Sequence, residues 1–166
     1  LTTAQLQALT TTNIAAIETA DVVALKTSQV AALTTTQVAQ GLTTEQIIAL
    51  TTAQVQALTT SQVAALTTTN VAAIETADLV ALKTNQIAAL TTAQVAQGLT
   101  TEQIIALTTG QVQALTTSQI AVLTTDQMQA IETADIAAFT TRQIQQGFTT
   151  AQLAALTTTQ VESFTS

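Results

Sequence analysis

Large aliphatic residues recur along this chain at two fixed positions of an eight-residue unit, as in LTTAQVQA at residues 50–57 and LTTSQVAA at 58–65. Written in register, the chain holds 20 complete units, beginning at residues 1, 9, 17, 25, 33, 42, 50, 58, 66, 74, 82, 90, 99, 107, 115, 123, 131, 139, 148 and 156. Position 1 is Leu, Ile or Phe throughout, and position 6 is always aliphatic, with Met128 once. Position 3 is Thr in all 20 units, position 5 is Gln, Asn or Asp, and position 8 is Ala in 15. Position 4 takes eight residue types, from Ala4 to Arg142, which marks it as the solvent face.

Eight residues suit neither regular period. A continuous α-helix would rotate the apolar stripe by about 80° per unit, since each residue turns roughly 100°. Heptad repeats drift by only about 20°, and no supercoil absorbs four times as much. A β-solenoid rung would send positions 1 and 6 to opposite faces of a strand, although both are large and apolar. A turn inside each unit would repair that parity, but Gly is rare and Pro is absent.

A short helix restarted in every unit meets both objections. Thr at position 2 and Gln at position 5 have the spacing of a capping box: the hydroxyl accepts from a first-turn N–H while the Gln side chain accepts from the cap's own N–H. Positions 1 and 6 are then the N′ and N4 partners of a hydrophobic staple, as Leu50 with Val55 or Leu58 with Val63. Five units carry Glu18, Lys26, Glu75, Lys83 or Glu132 at position 2. These are poor caps, so Thr at position 3 is expected to take over there, with Asp21, Asp78 or Asp135 near the helix's positive end. Helices this short do not stand alone, since isolated helices below about 12–15 residues are marginal in water. The chain is therefore expected to be all-α, an elongated solenoid of very short helices, one per octad, each burying its Leu/Val/Ala face on its neighbours. A β-solenoid is the alternative.

The array spans residues 1–166 as one domain, with a partial unit at Phe164–Ser166, and it reads as part of a longer series. Three units carry a ninth residue, Gly41, Gly98 or Gly147, each preceded by Gln. Glycine adopts positive φ at little cost, so each is expected to end a helix where the regular corner would not close. Above the octad lies a 57-residue period, seen in GLTTEQIIALTT at 41 and 98 and in IETAD at 17, 74 and 131.

The motif Leu-Thr-x-x-Gln, found strictly in units such as Leu42–Gln46, resembles that of the periplasmic LTxxQ stress chaperones, where it opens helices. Here it recurs every eight residues, so the resemblance implies the helix-start role and not chaperone activity. The tandem form is similar to the Thr/Ala/Gln-rich repeats of very large secreted bacterial proteins labelled haem-utilisation or adhesion proteins. That resemblance implies a secreted or cell-surface location.

Composition narrows the chemistry. Net charge is -7 with three Lys and Arg in all, which opposes a nucleic-acid partner. There is no His, Cys, Tyr or Trp, so Met128 is the one plausible haem ligand, no nucleophile–base pair can be assembled, and an enzyme is not expected. Neither catalytic, cofactor-binding nor metal-binding residues are assigned, and no cofactor is expected. No apolar run approaches the roughly 18 residues of a membrane span. One charged constellation recurs, Glu18/Asp21/Lys26, with Glu75/Asp78/Lys83 and Glu132/Asp135/Arg142 as counterparts. It reads as a solvated ion pair across a corner plus helix-start acids, with a weak Ca²⁺ site as the lesser alternative. Phe139, Phe148 and Phe164 read as a denser core or end cap. The expected function is a structural one: spacer, stalk or self-associating fibre segment, with end-to-end self-association between exposed terminal faces. The alternative is a surface-binding module whose Thr rows meet glycan or ice.

Overall fold

The computed structural model describes residues 1–164; Thr165 and Ser166, which complete the partial last unit, lie outside the described residues. Every unit forms one helix of five to seven residues, from Thr3–Gln7 to Thr158–Ser163, and no strand occurs among the described residues. The fold is all-α, and the β-solenoid alternative is overturned.

The cap chemistry sets each helix start. Position 2 holds extended backbone, as Thr51 does at φ -75° and ψ 156°, and position 3 opens the helix. Wherever Thr occupies position 2 and Gln position 5, both halves of the capping box form, as in Thr59 with Gln62 or Thr116 with Gln119. The helix then ends within two turns because position 1 of the next unit is extended again, as at Leu58 with φ -56° and ψ 134°. In the five exceptional units the takeover by Thr at position 3 does not occur. Glu18, Lys26, Glu75, Lys83 and Glu132 are themselves the N-cap residues, without a side-chain cap bond. Phase explains this: moving the helix start by one residue would turn position 6 away from the core. At Lys26 and Lys83 half of the box survives, because Gln29 and Gln86 still accept from the backbone N–H of the Lys.

Each helix packs on the helix three units later. Thr27–Ala32 lies on Thr52–Ala57, which lies on Thr76–Ala81; Thr35–Gln40 lies likewise on Thr60–Ala65. Three units therefore complete one turn of an elongated coil, and each unit supplies one side of it. Position 6 fills the interior: from Leu6 to Ile136 these side chains are at most 2% exposed. Burying an aliphatic side chain is worth roughly 1.5–3 kcal/mol, and this repeated term holds together helices too short to persist alone. Position 1 is buried beside it from Leu33 to Phe139, while position 4 is exposed in every unit. Toward the C-terminus Phe148 packs edge-on against Phe139 at 5.0 Å and against Phe164 at 6.3 Å, a local aromatic core.

The nine-residue units use a different device from the expected one. No glycine has positive φ, and Gly41 sits at φ -102° and ψ -41°. The extra residue is taken up by a wider last turn: Leu42 N donates to Gln37 O at 3.0 Å and Leu99 N to Gln94 O at 2.9 Å, both five residues back. In the second case the whole stretch Gln94–Gly98 is π-helical, the usual way one inserted residue enters a helix. Glycine is needed there for space. A Cβ on Gly98 would stand 3.2 Å from Thr68 O and from Val71 on the turn below, and one on Gly147 would stand 3.1 Å from Ile120.

Candidate functional site

The most regular polar feature is the side-chain amide at position 5. From Gln37 onward it is buried, as Gln46, Gln54 and Gln62 at 2% exposure show, and it makes contacts at both ends. Its Oε1 accepts from the N-cap N–H of its own unit, as Gln54 does from Thr51 at 2.9 Å. Its Nε2 reaches down one turn to two carbonyls flanking a corner. Gln54 donates to Val22 and Leu25 at 2.8 Å each, and Gln103 to Val71 at 2.9 Å and Ile74 at 2.7 Å. The same pair of bonds recurs at Gln62, Gln94, Gln111, Gln119, Gln152 and Gln160, always to position 6 and the next position 1. Those carbonyls belong to the last turn of a helix, where main-chain partners run out. One Gln thus closes the start of its own helix and the end of another a turn away. The sequence disclosed the first half through the capping spacing. The second half depends on the number of units per turn.

A second, exposed set of rungs comes from position 7. Gln7 donates to Ala32 O, Gln56 to Ala81 O and Gln129 to Ala155 O, each at 2.8 Å, on the turn above.

Asn and Asp change the ladder. Asn70, one methylene shorter, reaches Leu42 O alone at 3.2 Å. Asp has no hydrogen to donate. Asp78 and Asp135 are buried at 6% exposure and accept from the Thr52 and Thr109 hydroxyls at 2.6 Å, each from the turn below. Asp21, in the first turn, is exposed.

The charged constellations do not assemble. No ion pair joins Lys26 to Glu18 or Asp21, so the solvated pair expected across that corner is not formed. Consecutive units occupy different sides of the coil, which turns Glu18 and Lys26 away from each other. Among the described residues no three acidic side chains converge on a point where a metal ion could be held. Glu45 and Glu102 show perturbed acidity. Both are held below the ordinary carboxylate value of 4.5, first by their own backbone N–H and then by the Thr43 or Thr100 hydroxyl. An open cleft of about 320 Å³ lies between the turns beside Arg142, with Thr116, Thr117 and Thr140 on its walls. Arg142 Nε donates to Gln146 within its own helix at 3.3 Å. Among the described residues no helix is long and apolar enough to cross a membrane.

Stacked short helices, a continuous aliphatic interior and a periodic amide ladder define a tandem-repeat helical solenoid. The ALTTAQ repeat pattern matches residues 14–52, 40–68, 71–109, 105–130 and 128–166, and the chain belongs to that repeat family. No curated protein and no solved structure matches it.

Proposed function

We propose that this chain is a non-catalytic structural segment, a spacer, stalk or self-associating fibre element of a secreted or cell-surface bacterial protein. The observation that carries this reading is the ladder itself. From Gln37 to Gln160 the buried glutamines of position 5 hold one turn to the next, so the repeat encodes length. The extracellular setting follows the resemblance to Thr/Ala/Gln-rich repeats of secreted bacterial proteins. Self-association would use the same bonding: segments stacked head to tail through the position 5 ladder make an unclosed contact, and a contact of this kind generates filaments. Solution scattering tests the shape, with a rod-like profile expected and a compact sphere opposing it. Sedimentation over a range of concentrations tests association, and a strictly monomeric chain at high concentration would remove the filament part.

One observation favours the alternative of surface binding. Thr at position 3 is invariant across the units, yet the hydroxyls of Thr60 and Thr84 are exposed and bond to nothing in the chain. Binding to glycan arrays or to ice, absent from a variant with position 3 changed to Ser on one side of the coil, would support it.

A further inference from the structure

We propose that the units at residues 74–81 and 131–138 are built-in yield points, at which the solenoid opens locally before its other turns do. The inference stands whether or not the chain serves as a spacer.

An ordinary unit makes four polar bonds that these two lack. Thr59 accepts from Gln62 N at 3.2 Å, Gln62 Oε1 accepts from Thr59 N at 2.7 Å, and Gln62 Nε2 donates to Val30 and Leu33 on the turn below. In the unit at 74, Glu75 provides no side-chain cap and Asp78 forms no capping box with it. Asp78 also lacks the hydrogens that would reach Ile47 O and Leu50 O, the two carbonyls at its ladder position. What replaces the four is one bond, from Thr52 to the carboxylate. The unit at 131 repeats the substitution in full: Glu132 caps nothing, Asp135 takes the Thr109 hydroxyl, and Ile104 O and Leu107 O lose their amide. A buried carboxylate with a single donor is a poorly compensated arrangement. The weakness is also placed regularly. The two units stand 57 residues apart, and the same Glu–Asp pair opens at Glu18 and Asp21, 57 residues earlier. Local opening in proteins follows the least stabilised cooperative segments, so the array is divided into blocks of seven units.

Hydrogen exchange with mass spectrometry on the full chain at neutral pH tests this. Backbone amides of residues 74–82 and 131–139 should exchange about tenfold faster than those of units at 58 and 115. The double variant E75T/D78Q makes residues 74–78 read ITTAQ, with the Thr and Gln of the common capping box restored, so it keeps the fold. It should slow exchange at 74–82 to the level of the unit at 58, while 131–139 stays fast in the same molecule. Uniform exchange along the wild-type chain would overturn the proposal, and so would a variant that leaves the rates at 74–82 unchanged. Millimolar Ca²⁺ should not slow either segment; slowing would mean that a cation bridges the carboxylate and carbonyls, and that these units are held by metal rather than weak.

Discussion

The side-chain amide of Gln119 donates to the carbonyl of Leu90 at 2.7 Å, across 29 residues of sequence and one turn of the coil. Because Gln119 is buried at 2% exposure and also bonds Ile87 O and Thr116 N, its removal touches two helices at once. Gln119→Glu keeps the shape and the cap but sets an oxygen against two carbonyls, so it should destabilise by about 1–3 kcal/mol. Thr116→Ala loses one cap and should cost about 1 kcal/mol. Denaturant melts of both variants check the order, and Q119E melting above T116A would contradict the ladder.

Glycine positions separate in the same way. Gly98→Ala drives a Cβ to 3.2 Å from the Thr68 carbonyl and from Val71, so overpacking of about 1–3 kcal/mol is expected. Gly110→Ala meets nothing within 4 Å and lies in a helix, so it should be stabilising by roughly 0.5–1 kcal/mol. Thermal melts of the two single variants should move in opposite directions.

That contrast also shows what the chain discloses before it is folded. Helix starts were legible because the capping box is local: Thr51 and Gln54 are three residues apart and need no tertiary knowledge. The interior was legible because Leu50 and Val55 recur in one phase. The partners of Gln54, at Val22 and Leu25, were hidden, since finding them requires three units per turn. The same number decides that Glu18 and Lys26 face different sides, although they look adjacent in sequence. Gly41 was legible as an irregularity, but its role was not: Ile14 of the turn below stands 3.0 Å from where a Cβ on Gly41 would lie, a constraint that exists only between turns.

The lysine caps offer a direct gain. An ammonium group donates and cannot accept, so Lys26 and Lys83 leave their helices with half a capping box. No ion pair is lost by replacing them. K26T and K83T should each stabilise by up to about 1 kcal/mol, and the effect should persist at high salt because it is not electrostatic screening that is relieved. Melts in low and high salt check this, and a loss of stability in K26T at low salt alone would expose an ion pair.

Acid sensitivity should trace to Glu45 and Glu102. Their carboxyls sit at position 4, inside the first turn, where the backbone N–H of the same residue and the Thr43 or Thr100 hydroxyl favour the charged form. A carboxylate also sits well at a helix's positive end. Folding therefore lowers both values from 4.5, and the sign follows from linkage. The unfolded chain binds more protons around that pH, so stability rises with pH through this region. The contribution is fully present above 4.5 and is lost as pH falls through the lower folded value. Both side chains are exposed, so the effect is modest and shrinks in salt. E45Q/E102Q should match the wild type's melting temperature more closely at pH 3 than at pH 7, with a flatter slope between them. An unchanged slope in the double variant would place the acid sensitivity elsewhere.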